Sequence, residues 1–155
     1  MKFRELPENG GPKNFIKLKD KESIEGICMG DIHEFSVLWE NGKSRIVPEG
    51  TPKAGFRFRI NFITKEGSVY VAKILEQSAT VYRTLGELHD EYDLSTIVVR
   101  ITRNGTGTDT TYSVLPLLKK QLTKEILEHL KTVPLNELST DSAPKGVDSG
   151  EEIPF

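Results

Sequence analysis

The stretch FRFRINFITKEGSVYVAKIL, residues 56–75, decides the fold of this chain. Side chains on an extended strand alternate between its two faces, so the first half predicts one apolar face and one cationic, hydrogen-bonding face. The alternating residues are Phe56, Arg57, Phe58, Arg59, Ile60, Asn61 and Phe62. Residues 65–67 (KEG) predict a tight turn, and residues 68–75 predict a returning strand because they are rich in β-prone side chains.

Further short strands are predicted on both sides of this hairpin from the same alternation. They cover residues 15–19, 23–29, 33–39, 44–47, 96–103 and 110–115. Asn41 and Gly42 suit the positive φ angles of a type I′ turn, which would place Arg45 near Trp39. Residues 48–55 contain two prolines and two glycines and are predicted to form a loop.

Two segments change from strand alternation to helical periodicity. The first predicts a helix over residues 78–92 with Ser78 as its N-cap, while Thr84 and Glu87 form a competing capping box that would shorten it. The second predicts an amphipathic helix over residues 117–133. Its apolar stripe can pack on the strands or join copies of the chain into a homo-oligomer, and the residues leave both open. The two stripes are Val81, Leu85, Leu88 and Tyr92, and Leu118, Leu122, Ile126 and Leu130.

This order of strands, helix, two strands and helix predicts a mainly β fold. The architecture that fits is a five-stranded Greek-key barrel of the OB type, with one helix before the last two strands and a C-terminal amphipathic helix. A β-sandwich is the alternative. The predicted divisions are a flexible N-terminal arm (1–14), an OB-type nucleic-acid-binding domain (15–116), a C-terminal helix (117–133) and a disordered acidic tail (134–155).

Charge is distributed unevenly along the chain. The net charge is −2, but residues 139–155 hold four acidic residues against Lys145. Residues 1–138 therefore hold 20 basic and 19 acidic residues, a net charge of +1. A near-neutral body with a separate acidic end is compatible with a polyanionic partner, which the overall charge alone would argue against.

The reactive side chains form no recognisable catalytic or metal-binding motif. Cys28 is the single cysteine, so neither an intrachain disulfide nor a cysteine-based zinc site is expected. His33, His89 and His129 lie far apart in the sequence. We therefore expect a protein that is not an enzyme and needs no cofactor or metal. No apolar run reaches transmembrane length and the first residues lack a signal-peptide pattern, so we expect no membrane association and a cytoplasmic location.

Aromatic and basic residues of the predicted strands form a candidate binding surface. Bases of single-stranded nucleic acid stack on aromatic rings, and phosphates bind Lys or Arg. The predicted stacking residues are Trp39 and Tyr70, the predicted phosphate contacts are Arg45, Arg57, Arg59 and Lys73, and the region around the last turn adds Arg100, Arg103 and Tyr112. Phe56, Phe58 and Phe62 are favoured as core residues instead, because burial is the commonest use of an aromatic side chain.

The sequence ends in a pattern typical of a docking peptide. Acidic residues would steer a partner over a distance, while the terminal phenylalanine enters a pocket and its carboxylate meets a basic group. The residues are Glu151, Glu152, Ile153, Pro154 and Phe155. This ending resembles that of bacterial single-stranded DNA-binding proteins. The body is similar to phage-encoded single-stranded DNA-binding proteins with an OB fold, in VLWENGKS (37–44) and ITRNGTGTDTTYSVLP (101–116).

The resemblance implies coating and protection of single-stranded DNA, without sequence preference, during replication, recombination or repair. It also implies recruitment of replication and recombination proteins by the tail, in a bacterial host cell if the protein is phage-encoded. An OB-type protein adaptor and an RNA-binding protein are the alternatives. The DNA-binding prediction would fail if Arg57 and Arg59 were held in internal ion pairs beneath a covering segment, with no open groove beside Trp39.

Overall fold

The computed structural model describes residues 14–140, which form one six-stranded antiparallel sheet and two α-helices. The strands are β1 (Ser23–Glu40), β2 (Lys43–Val47), β3 (Gly55–Glu66), β4 (Val69–Ser78), β5 (Val99–Asn104) and β6 (Thr111–Pro116). The helices are α1 (Ala79–Tyr92) and α2 (Lys124–Leu130). The predicted mainly β fold, with one helix before the last two strands, is confirmed. The predicted arm over residues 1–14 lies almost wholly outside the described residues.

The sheet is open and is organised around the long strand β1. Its strand order is β4-β3-β1-β5-β6, and β2 pairs with β1 outside this path. Within residues 14–140 no strand pairing joins β4 to β6, so a closed barrel is not seen. Residues 15–19, predicted as a strand, make only a single bridge, between Phe15 and Ile74 of β4.

β1 replaces the two strands predicted at residues 23–29 and 33–39. It runs through both, with an irregularity between Met29 and His33 where its pairing with β3 shifts. Gly30 lies in this irregularity with a φ of 86°, a conformation that glycine adopts at little cost. Gly26 permits a different close approach, because a Cβ there would lie 2.5 Å from the carbonyl oxygen of Ile63.

The β3–β4 hairpin turns one to two residues later than predicted. Glu66 still pairs with Val69, so the connection is the two-residue turn formed by Gly67 and Ser68. Gly67 has a φ of 64°, which suits the first position of such a turn. The position of this turn determines which β4 residue lies opposite each arginine of β3.

The inner face of the sheet forms the main core with α1. Phe58, Ile60 and Phe62 are buried there, as the alternation predicts. α1 begins after Ser78, as predicted, and the competing start at Thr84 is not used. The remaining buried members are Cys28, Leu75, Val81, Leu85, Leu94, Val99 and Ile101. Burial raises the pKa of the Cys28 thiol to about 12, which makes it a poor nucleophile.

The C-terminal helix is much shorter than predicted. α2 begins at Lys124 because the Thr123 hydroxyl accepts a hydrogen bond from the Ile126 N–H at 3.1 Å and caps the helix. Leu118 therefore precedes the helix and is 48% exposed. The C-terminal part of the stripe packs on the outer face of the sheet, where Leu130 is buried in a second core. Neither α-helix of residues 14–140 has the length and apolar character needed to span a membrane.

Candidate nucleic-acid interface

Residues 135–140, here called the strap, cross the outer face of β3. Asn136 anchors the strap on Asn61: its backbone N–H donates to the Asn61 Oδ1 at 2.7 Å, and the Asn61 Nδ2 donates to the Asn136 carbonyl at 3.1 Å. The Asn136 Nδ2 also donates to the carbonyl of Ala72 on β4 at 2.9 Å. Asn61 is only 3% exposed, so these bonds satisfy an amide that would otherwise be buried without partners.

The strap is tied at both ends to other parts of the chain. The Asn14 Nδ2 donates to the Asn136 Oδ1 at 3.2 Å, which brings the first described residue against the strap. At the far end, the Thr140 N–H donates to the Nε2 of His33 at 3.3 Å. The sequence assigned residues 134–140 to a disordered tail, but these contacts show that the strap belongs to the folded body.

Arg59 lies under the strap and is enclosed on every side. Its Nε donates to the Oε1 of Glu76 at 2.8 Å, and its Nη1 donates to the carbonyl of Leu138 in the strap at 3.4 Å. The guanidinium lies between the rings of Phe15 and Phe35, at 5.2 and 5.0 Å from their centroids. Only 11% of the Arg59 side chain is exposed.

Arg57 shares the same carboxylate. Its Nη2 lies 3.6 Å from the Oε2 of Glu76, and its side chain is 18% exposed. Burial lowers the pKa of the Arg57 guanidinium, and the negative charge of Glu76 opposes that shift. The outer face of β3 is therefore an enclosed ion-pair cluster and not the open cationic stripe that the alternation predicts. Arg59 thus meets the first half of the condition that would defeat the DNA-binding prediction, and Arg57 meets the part of it that concerns ion pairing.

Trp39 and Arg45 lie on the hairpin of β1 and β2, residues 36–47, here called the arm. Trp39 is 54% exposed. It pairs with Ser44, whereas Arg45 pairs with Leu38, so the indole and the guanidinium leave opposite faces of the arm. Arg45 therefore lies near Trp39 across the hairpin, as predicted, but on the opposite face of the arm. Arg45 makes an exposed ion pair with Glu40 at 3.2 Å.

Tyr70 and Lys73 of β4 lie apart from the arm. Tyr70 packs in the second core against α2, and its ring centroid lies 5.7 Å from that of His129. The Lys73 Nζ pairs with the Oε2 of Glu66 at 3.0 Å. Tyr70 is thus partly covered by α2, and Lys73 is partly neutralised.

The next three predicted contacts interact with other parts of the chain near the last turn. They are Arg100, Arg103 and Tyr112. Arg100 and Lys120 both pair with Glu25 at 3.0 Å. These hydrogen bonds, that of Lys120 first, lower the pKa of the Glu25 carboxyl. Arg103 donates to the carbonyls of residues 18 and 105 at 2.8 and 3.1 Å, and Tyr112 packs half-buried against the main core.

Glu76, Asn136 and His33 belong to this region without having been predicted from the sequence, and Asn61 was predicted only to lie on the hydrogen-bonding face of β3. A signal for Glu76 exists, because a two-residue turn at residues 67–68 places it opposite Arg59. A signal for Asn61 also exists, because an amide within a buried strand requires hydrogen-bonding partners. Neither signal identifies the strap, which lies 75 residues away from Asn61 in sequence.

Trp39 does not line either of the following two grooves in the described part of the chain. One separates the strap from the β1 irregularity, and the other lies between residues 15–18 and the strand ends. Within residues 14–140, no group of three or more His, Cys, Asp or Glu side chains is arranged to hold a metal ion. The tip residues 151–155 lie outside the described residues.

Comparisons with known proteins identified no relative of this chain. Searches of protein-family models, of curated proteins and of solved structures each found no match for this chain.

Proposed function

We propose that this protein binds single-stranded DNA without sequence preference, using an OB-type barrel with an added arm. If β2 is set aside as an insertion, five strands remain, in the order β1, β3 and β4, then α1, then β5 and β6. β1 pairs with β3 along one part and with β5 along another, and α1 lies before the last two strands. This connectivity supports an OB-type fold, which is a partly open Greek-key barrel used widely for oligonucleotide binding.

The exposure of Trp39 carries this proposal. A large aromatic side chain that is 54% exposed on a short hairpin presents ring surface to solvent, on which an unpaired base can stack. Lys43 and Arg45 lie on the returning strand of the same arm and are exposed, so they offer charges for the flanking phosphates. Because Lys43 and Arg45 lie on the face of the arm opposite to Trp39, we propose Trp39 as the first contact, with Lys43 and Arg45 binding phosphates where the DNA strand passes around the edge of the arm.

Arg57 and Arg59 have a different place in the proposal. Their charges are engaged by Glu76, and the strap covers Arg59, so a phosphate would have to displace both interactions. These contacts argue against DNA binding on the outer face of β3. We propose instead that its arginines support the fold and that DNA contact begins at the exposed ring of Trp39 on the arm, which requires no groove. Contacts from Tyr70, Lys73, Arg100, Arg103 and Tyr112 stay predictions of the sequence.

The acidic tail completes the proposal as a recruitment segment. Residues 151–155 match the ending of bacterial single-stranded DNA-binding proteins, which supports docking of replication or recombination proteins. The strap holds Thr140 beside His33, so the tail starts from the outer face of the sheet.

Tryptophan fluorescence tests the DNA-binding proposal directly, since Trp39 is the single tryptophan of the chain. Oligo-dT is expected to quench its emission, high salt to reverse the quenching, and a matched duplex to have a much smaller effect. A lack of response to oligo-dT, together with no shift of a labelled oligonucleotide in anisotropy, would contradict the proposal. Stronger binding of a matched RNA would favour the RNA-binding alternative.

A protein adaptor is the second candidate function. It is favoured by the enclosed arginines, since the outer face of β3 offers its charges to the chain itself. The adaptor would bind no oligonucleotide but would still bind partners through its acidic tip, so the fluorescence titration separates the two functions.

A further inference from the structure

The two edge strands of the sheet, β4 and β6, differ in whether other parts of the chain form hydrogen bonds with their outer sides. On β4, the Ile74 carbonyl accepts a hydrogen bond from the Ile16 N–H at 2.9 Å, and the Ala72 carbonyl accepts one from Asn136 at 2.9 Å. On β6, the last strand at the opposite edge, no such bond covers the outer side within residues 14–140. The β6 edge therefore offers backbone groups for pairing with another strand.

The register of β5 and β6 shows which backbone groups face outward. The Leu117 N–H donates to the Val98 carbonyl at 2.8 Å, and in an antiparallel ladder such hydrogen-bonded pairs alternate with non-hydrogen-bonded pairs. Tyr112 and Val114 occupy the non-hydrogen-bonded positions. Their N–H and C=O groups point away from β5, which leaves two donors and two acceptors along the open edge.

The side chains of β6 do not protect this edge. Natural edge strands are commonly blunted by lysine, by inward-pointing charges or by proline within the strand. Residues 111–115 contain no charged side chain, and Pro116 stands only at the end of the strand. Leu115 is 50% exposed, and Leu118, just beyond the strand, is 48% exposed.

From this geometry we propose that β6 pairs with β6 of a second copy of the chain, antiparallel, about a two-fold axis at Ser113. In this register Tyr112 lies opposite Val114 of the second copy, and their four outward donors and acceptors form four intermolecular hydrogen bonds. Thr111 lies opposite Leu115 of the second copy, which shields the exposed leucine. Moving the axis to Val114 would place Tyr112 opposite Pro116, which lacks an N–H.

A second copy is the occupant that this edge fits best. The strand carries no charge that would repel its own copy, and the register uses every outward backbone group of Tyr112 and Val114. The two sheets become one continuous sheet, as β-augmentation requires. The inference does not depend on DNA binding, so it can fail or hold independently of the proposed function.

Introducing a charge at the axis tests the pairing. Ser113 is exposed and lies opposite its own copy, where cross-strand Cβ atoms are about 4.5–5.5 Å apart. Ser113→Lys and Ser113→Glu are each expected to weaken dimerisation by about tenfold in sedimentation velocity across a concentration series. An equimolar mixture of the two variants is expected to restore dimers, because Lys then meets Glu.

Val69→Lys is the matched control, since Val69 is 56% exposed at the other sheet edge and should leave the association unchanged. Circular dichroism and the Tm of each variant confirm that it is folded. Amide exchange of Tyr112 and Val114 is a second measurement, and both amides are expected to exchange more slowly as protein concentration rises.

Three results would overturn the proposal. The full-length protein could stay monomeric at all concentrations, or the Ser113 variants could dimerise as the wild type does. The third is slow exchange of the Val114 amide that is independent of concentration, which would mean that a segment of the same chain, such as residues 1–13, covers the edge.

Discussion

The outer face of β3 and the arm carry the same kinds of side chain in opposite surroundings. Arg59 is 11% exposed, lies between two aromatic rings and pairs with Glu76, whereas Arg45 is 59% exposed and pairs with Glu40 in solvent. Trp39, on the arm, is 54% exposed. The difference teaches that alternation along a strand identifies a face but not what covers it. The consequences for stability and for binding can be measured separately.

Arg59→Ala is expected to have the largest effect, a loss of about 3 kcal/mol in the free energy of unfolding. Removing one partner of an enclosed ion pair leaves Glu76, which is 7% exposed, without its closest cation. Arg45→Ala is the matched control from the arm, because exposed pairs contribute about 0–1 kcal/mol. Urea unfolding measures both variants, and equally small losses would abolish the contrast between the two regions.

Trp39→Ala is expected to act mainly on DNA binding, in contrast to Arg59→Ala, which acts on stability. The affinity for oligo-dT should fall by about 2 kcal/mol, roughly 30-fold, because a stacked base loses its aromatic partner. The free energy of unfolding should fall by about 1–2 kcal/mol, less than for Arg59→Ala, since the side chain is half exposed.

Anisotropy of a labelled oligonucleotide is the readout for this variant, because the intrinsic fluorescence is lost with the indole. Trp39→Phe keeps an aromatic ring and is expected to retain most of the affinity. Unchanged binding by Trp39→Ala would remove the arm from the contact surface.

Asn136→Ala tests how strongly the strap is anchored on the outer face of β3. The loss of its side-chain amide is expected to cost about 1–2 kcal/mol of unfolding free energy, because the Ala72 carbonyl and the Asn14 amide lose their partners. Glu137→Ala, at the exposed neighbouring position, should be nearly neutral. If both variants unfold at the same urea concentration as the wild type, the side chain of Asn136 contributes nothing to the stability of the enclosed region.

Removal of residues 141–155 should tighten binding of single-stranded DNA by about threefold at low salt. These residues carry a net charge of −3, which competes with phosphates for the cations of the body. The gain should vanish at high salt because screening removes the competition. Affinity measured at two salt concentrations checks this, and weaker binding after truncation would contradict it.

The exposure of Glu25 is intermediate between those of Arg59 and Arg45, and its substitution is expected to have the smallest effect. Its side chain is 34% exposed, and Lys120 and Arg100 lower the pKa of its carboxyl. A lowered pKa in the folded state contributes stability above the ordinary glutamate range, and this contribution is lost as the pH falls toward the lowered value. Solvent screening keeps it small. Glu25→Gln should flatten the acid limb of stability slightly in urea unfolding at neutral and acidic pH, and an unchanged limb would speak against it.

The sequence predicts local structure well wherever one strand or one helix contains the whole signal. The β3 alternation correctly places Phe58, Ile60 and Phe62 in the core, and the helical stripe correctly places α1. These patterns depend only on the periodicity of a single element, and that is why they can be read without knowledge of distant contacts.

Register and long-range cover are harder to predict. A three-residue turn at residues 65–67 would set Arg59 opposite Lys73, whereas the observed turn sets it opposite Glu76. This small shift converts an expected cationic cluster into an ion pair. Periodicity cannot predict the strap, because residues 135–140 (LNELST) repeat with neither a strand nor a helix period, and their place depends on distant contacts such as that with the buried amide of Asn61.

The hydrogen bond between Asn14 and Asn136 has a practical consequence for engineering the chain. It places the beginning and the end of the folded body within one side-chain contact of each other, on the same side of the sheet. A short linker between these two positions would give a circular permutant, with new termini opened at the turn of the arm around Asn41 and Gly42. In such a permutant the two strands of the arm would no longer be joined by a turn, while the enclosed ion pairs would stay in place.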